Sequence, residues 1–160
     1  MSRTIIVYFS ASGVTKRVAG KIAEITGSQL AEITPKTPYT PKDLNWRDKG
    51  SRSTVEMSDK SSRPEIVDGK LDLSEVDTVF LGFPMWWYIA PTIVNTFLEA
   101  NDFSGKRIIL FATSGGSGFG KTMQFLKNSV SHEAEIIEGK VFSGSYSEED
   151  VEVFARNYLQ

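Results

Sequence analysis

Three short stretches hold most of the residues whose types and spacing suggest chemistry. Ser10-Ala11-Ser12-Gly13-Val14-Thr15 sets three hydroxyls around a glycine. Where such a turn opens a helix, it offers backbone N–H groups, hydroxyls and the positive end of a helix dipole to one anion. Its cations, Lys16 and Arg17, come only after the loop. That suits a phosphate monoester held by neutral donors better than a triphosphate with magnesium. The plainer alternative is a helix capped by Ser or Thr. Pro84-Met85-Trp86-Trp87-Tyr88 places two tryptophans and a tyrosine in succession. They could flank a flat aromatic ligand, where stacking adds roughly 0.5–1.5 kcal/mol beyond area burial, or pack beneath a helix. One tryptophan is expected to be structural.

The third stretch is Thr113-Ser114-Gly115-Gly116-Ser117-Gly118, continuing through Phe119 and Gly120 to Lys121 and Thr122. Gly115, Gly120, Lys121 and Thr122 fit the G-x-x-x-x-G-K-[ST] pattern of a triphosphate-binding loop. Such an enzyme also needs an acidic residue at a strand end to hold magnesium. The apolar runs here end in Phe9-Ser10, Ile33-Thr34, Phe83-Pro84 and Ala112-Thr113, with no Asp or Glu. The glycines then read as permitting close backbone approach to a flat ligand, with Ser114 and Ser117 as hydrogen-bond partners. His132, the only histidine, is expected at a solvated helix end. No side chain stands out as an acid–base catalyst.

The elements that must position these loops follow from the apolar pattern. Thr4–Phe9, Val76–Phe83 and Arg107–Ala112 are short continuous apolar runs rich in β-branched and aromatic residues, the mark of strands buried on both faces. Gln29–Thr34 is a weaker second strand, and Ala134–Phe142 a fifth, bent at Gly139. Between them, apolar residues recur at helical spacing. These are Val14 to Ala23 with a stop at Gly27, Pro91 to Ala100, and Phe119 to Val130. Ser147 with Asp150 looks like a capping box opening a last helix. The stretch from about 35 to 64, punctuated by Pro35, Pro38 and Pro41, breaks the alternation; a helix or two is expected over Asp43–Asp59. Alternating strands and helices predict an α/β three-layer, doubly wound fold, whose ligand sits beyond the carboxyl ends of the strands. The loops after strands one, three and four are the three chemical stretches.

Composition narrows the classes. At 160 residues the chain suits a single domain with an excursion at about 35–64. A formal net charge of −2 argues against a nucleic-acid footprint. The absence of cysteine excludes disulfides, thiolate catalysis and iron–sulfur ligation. No apolar run is long enough for a membrane span, and the five-residue run Ile5–Phe9 is shorter than a signal core. The expectations are no nucleic acid, no membrane, no metal site and a cytoplasmic location.

Taken together, the loops resemble those of flavodoxin-like FMN-binding proteins of the short-chain type. S-A-S-G-V-T is similar to the family's [ST]-x-[ST]-G-x-T phosphate loop. Gly82–Trp87, Phe97–Lys106 and Thr113–Gly118 resemble a subgroup with a P-x-W-W loop. The resemblance implies strand order 2-1-3-4-5 and FMN as cofactor. Ser10, Ala11, Ser12, Gly13, Val14 and Thr15 would hold its phosphate. Pro84, Met85, Trp86, Trp87 and Tyr88, with Thr113, Ser114, Gly115, Gly116, Ser117 and Gly118, would hold the ribityl chain and ring. It further implies electron transfer to a redox partner protein or a small-molecule acceptor. P-M-W-W-Y contains no glycine of the kind that lets a peptide flip beside the flavin in many carriers of the family, so little semiquinone is expected. Carrier and NAD(P)H:quinone-type reductase both remain open, as carriers of this type are usually strongly acidic and this chain is not.

Overall fold

Residues 3–158 are described by a computed structural model. β1 (Thr4–Tyr8), β3 (Thr78–Pro84) and β4 (Arg107–Ser114) are buried along almost their whole length, as strands covered on both faces must be. With β2 (Gln29–Glu32) and β5 (Glu135–Ser143) they form one parallel five-stranded sheet in the order β2-β1-β3-β4-β5. Side chains alternate between its faces. Ile6, Tyr8, Phe80 and Phe111 meet Val18 and Ile22 of α1 (Val14–Thr26) and Phe154 of α5 (Glu148–Asn157). On the other face Ile5, Val7, Leu81 and Leu110 pack against Ile93 and Phe97 of α3 (Thr92–Glu99) and Leu126 of α4 (Thr122–Leu126). The expected three-layer architecture and strand order are present.

Local signals account for several boundaries. Gly27, at φ 64°, ends α1, in the left-handed conformation that suits a glycine C-cap. The Ser147–Asp150 capping box opens α5. Gly139 lies at a bulge where Leu110 pairs with Glu138 and Phe111 with Lys140. A Cβ there would stand 2.3 Å from the Leu110 carbonyl oxygen and 2.6 Å from the Phe154 ring.

One expectation needs correction and another is narrowed. The helix read through Val130 stops at Leu126 and tightens into a 3-10 turn over Lys127–Ser129. There, Asn95 from α3 donates to both the Phe125 carbonyl and the Ser129 hydroxyl at 2.9 Å, satisfying groups at the helix end. Within the excursion, only α2 (Arg52–Ser58) is helical, capped by Ser51; Asp43 to Gly50 forms turns. The excursion is tied down at both ends, by an isolated bridge between Pro35 and Ile66 and by the hydroxyls of Ser62 and Thr92 at 2.8 Å. Arg52 organises its middle. Its guanidinium lies 3.8 Å from the Tyr39 ring centroid, binds Glu56 at 2.9 Å and donates to the Thr37 carbonyl at 2.6 Å.

Candidate functional site

The loops after β1, β3 and β4 converge at the carboxyl edge of the sheet. In the first, Gly13 is the N-cap of α1 at φ 96°, and no side chain caps the helix. Ser10 Oγ instead accepts from the Gly13 N–H at 3.1 Å, stabilising the turn. The reading of an ordinary Ser or Thr cap therefore fails here, whereas α2 and α5 have such caps. The orphan N–H groups of the first turn remain available to an anion. Ser12, Gly13 and Val14 are exposed, and Ala11 is half-buried against the core. Thr15 is buried, and its hydroxyl lies 2.7 Å from that of Thr113. This bond joins the first loop to the end of β4.

The loop after β3 carries backbone strain. Trp86 and Ile89 exchange two backbone hydrogen bonds, 2.9 and 3.2 Å long. They close a turn whose central residues, Trp87 and Tyr88, sit at φ 50° and 67°. Two left-handed residues in a two-residue turn ordinarily favour Asn-Gly. Bulky residues held there cost on the order of 1–3 kcal/mol each, and such strain clusters at ligand sites. The two tryptophans are not equivalent. Trp86 meets Phe9 and Tyr39 edge-on, with ring centroids 5.7 and 5.5 Å apart. Trp87 and Tyr88 are 41% and 69% exposed.

The loop after β4 is rigidified from within. Ser114 Oγ accepts from the backbone N–H groups of Gly116 and Ser117, at 3.1 and 2.8 Å, and pairs with the Ser117 hydroxyl at 2.8 Å. The two serines thus shape the loop, leaving Gly115, Gly116 and Gly118 with open space around their Cα atoms. At Gly120, φ 55°, a Cβ would stand 2.2 Å from the Tyr88 carbonyl oxygen. Only glycine lets the second and third loops touch. The triphosphate-loop pattern has no matching chemistry. The Thr122 hydroxyl is buried and donates to the Phe119 carbonyl at 2.6 Å, so it is engaged where magnesium would need it. Lys121 is exposed at the start of a five-residue helix.

Between Met85–Tyr88 and Ser114–Ser117 lies a cavity of about 600 Å³, closed on a third side by Leu44, Trp46 and Ser53 of the excursion. This volume lies within the range of small-molecule sites. Among the described residues, no Asp, Glu, Lys, Arg or His lines it. Ser53 Oγ is buried without a hydrogen-bond partner among the described residues. Sequence reasoning picked out Leu44 and Trp46 only as rare large apolar residues of a polar stretch, and nothing in the sequence pointed to Ser53. Behind the cavity, burial and the hydrogen bond to Glu56 push the Tyr39 phenol far above its usual range. A second hollow, about 710 Å³, lies at the amino ends of β1, β3 and β4 among Arg3, Asp72, Glu75 and Arg107; none of the three loops reaches it. His132 is exposed in a turn after the 3-10 segment. Among the described residues, no group of three or more His, Asp or Glu side chains could hold a metal ion, and no helix is long and apolar enough to cross a membrane.

The flavodoxin family profile matches residues 3–158. A crystal structure of a candidate flavoprotein from Bacteroides uniformis ATCC 8492 is 42% identical, with a TM-score of 0.89 over 97% of this chain and 98% of that one. Another, from Bacteroides eggerthii DSM 20697, is 37% identical with a TM-score of 0.86 over 98% of each chain. A flavoprotein in complex with FMN from Lactobacillus acidophilus NCFM shares the fold at 23% identity, with a TM-score of 0.69 over 97% of this chain and 99% of that one. No curated protein matches the sequence. A profile spanning residues 3–158, together with relatives of this identity and coverage, shows that the chain belongs to the flavodoxin family.

Proposed function

We propose that this protein binds FMN non-covalently and transfers electrons through it. One observation carries the reading: a helix start without a side-chain cap, Gly13 to Thr15, is joined by the Thr15–Thr113 bond to a loop lining an uncharged aromatic cavity. An anion-binding turn beside a flat apolar slot matches a ligand with a phosphate at one end and a conjugated ring at the other. The donor set fits. Backbone N–H groups of Ala11, Ser12, Val14 and Thr15 and the Ser12 hydroxyl would take the phosphate, around a turn held by the Gly13–Ser10 bond. Trp87, Tyr88 and the glycines of Gly115–Gly118 would border the ring. Bound FMN would supply the redox chemistry, while these residues hold it, orient it and limit water around it. The family profile and the FMN-bound neighbour support the choice of flavin.

A second reading, an FMN-dependent reductase of a small molecule with a nicotinamide donor, is favoured by the excursion, which walls the cavity with Leu44 and Trp46. A carrier that docks large partners has no need of that wall. Titration of the FMN-free protein with FMN and with riboflavin tests the shared part. FMN should bind much more tightly, because hydrogen bonds to a charged group are worth roughly 1.5–3 kcal/mol each. Equal affinities would remove the phosphate assignment. Lys121→Ala should change FMN affinity by less than about 1 kcal/mol, the scale of one exposed charge interaction. Steady-state oxidation of NADH or NADPH by the loaded protein, with a quinone as acceptor, separates reductase from carrier.

A further inference from the structure

The excursion contributes one feature that the flavin reading leaves unused. Ser53, in the first turn of α2, is only 2% exposed and lines the cavity, and its hydroxyl has no hydrogen-bond partner among the described residues. An unpaired buried hydroxyl carries a desolvation penalty, and native structures leave few of them; of the two among the described residues, Ser53 Oγ and Thr96 Oγ1, only that of Ser53 belongs to a residue lining this cavity. Around it the wall is apolar or neutral, with Leu44, Trp46 and Trp86 nearby in the same lining. The position is held firmly. The Ser53 backbone N–H donates to the Asp43 carbonyl at 3.0 Å. Its neighbour Arg52 is locked against Tyr39 and Glu56.

We propose that Ser53 is a specificity-determining residue for a second ligand, a neutral flat ring bearing a carbonyl group, of which a quinone is the simplest example. The inference rests on the FMN-dependent reductase reading. Four properties of the cavity select this class. The absence of charged side chains disfavours an ionic ligand, since nothing would offset its desolvation. The indoles of Trp46 and Trp87 favour a flat conjugated ring. A hydroxyl donor favours a carbonyl acceptor. Finally, Ser53 lies on the excursion and on none of the three loops assigned to FMN, on the side of the cavity from which a second ligand would face the ring.

The test uses FMN-loaded protein in the oxidised state without an electron donor, so that binding is read apart from turnover. Equilibrium dialysis would compare 1,4-naphthoquinone with naphthalene, which has the same ring system and no carbonyl. Ser53→Ala should weaken naphthoquinone binding about fivefold or more, the range of one hydrogen bond, with naphthalene and FMN affinities unchanged. Trp46→Ala, at a position 64% exposed, should weaken both ring ligands. Equal naphthoquinone affinity in the wild type and Ser53→Ala overturns the proposal. So does a loss in Ser53→Ala that falls on FMN, because the hydroxyl would then serve the flavin itself. Failure of the wild type to bind FMN would instead remove the reading underneath, and the preliminary FMN titration shows that separately.

Discussion

Single hydrogen bonds decide how the site is assembled. Thr15 and Thr113 are 1% and 6% exposed and join the first and third loops through their hydroxyls. Thr15→Val or Thr113→Val would each leave one buried hydroxyl unpaired, at a cost of about 1–3 kcal/mol. The double variant replaces both partners with apolar groups of the same shape. It should cost clearly less than the sum, a coupling measurable by urea unfolding in a double-mutant cycle. The adjacent tryptophans should part company in the same way. Trp86→Ala removes a ring packed on Phe9 and Tyr39 and should destabilise by at least about 2 kcal/mol, below the 3–5 of a fully buried tryptophan. Trp87→Ala should cost under about 1 kcal/mol yet raise the fluorescence of bound flavin. A reversed order in melting and emission would contradict the division of roles.

At the scale of elements, the turn between β3 and α3 stores strain that its neighbours hold in place. Tyr88 keeps φ 67° while its carbonyl stands against Gly120. Tyr88→Gly keeps that carbonyl and relieves the left-handed side chain. It should raise the stability of the FMN-free protein by up to about 1 kcal/mol, net of the extra freedom glycine gains when unfolded, while weakening FMN binding. Thermal melts with and without FMN would show the two effects with opposite sign. The bulge in β5 behaves differently. Gly139→Ala would drive a Cβ into the Leu110 carbonyl and the Phe154 ring and should cost about 2–3 kcal/mol by overpacking. The excursion, by contrast, depends on a few polar anchors rather than on an apolar stripe. Arg52 is the main one.

Across the molecule, charge couples the excursion to the helices behind the sheet. Glu99 on α3 binds Arg63 at 3.0 Å and accepts from the Ser129 hydroxyl at 2.8 Å. The hydrogen bond from Arg63 leads in holding its carboxyl below the ordinary 4.5. A carboxylate depressed in the folded state stabilises it above the unfolded pKa, and that stabilisation is lost as pH falls through the folded value. Stability should therefore decline below about pH 4.5, and Glu99→Gln should show a smaller drop in melting temperature between pH 6 and pH 3 than the wild type. An identical acid response in the two proteins would show that this link contributes nothing. Asp43, Asp59, Asp72, Asp102 and Asp150 are lowered in the same direction by backbone and hydroxyl donors in their turns. Each adds in the same direction to the acid slope that remains in Glu99→Gln.

Much of this was legible in the residues. Strands buried on both faces must be continuous apolar runs, so the runs Thr4–Phe9, Val76–Phe83 and Arg107–Ala112 mark β1, β3 and β4 to within two residues at each end. Gly27 and the Ser147–Asp150 pair are local signals read within a few residues, and they mark helix ends where the structure has them. The loops that follow those strands, and so the region of the site, came with the alternation. What local periodicity cannot encode is which side chain meets which across long stretches of chain. The division between Trp86 and Trp87 depends on Phe9 and Tyr39, far away in sequence. The Thr15 hydroxyl turns to Thr113, 98 residues on, rather than to the loop mouth. Ser53, in a short polar helix with no distinguishing neighbour, became a candidate only when the excursion folded over the cavity and left its hydroxyl buried without a partner among the described residues. Local pattern determined the elements and the edge of the sheet where chemistry is placed. Tertiary packing alone decided which polar groups bind one another and which remain free for a ligand, because burial and pairing are properties of the assembled chain.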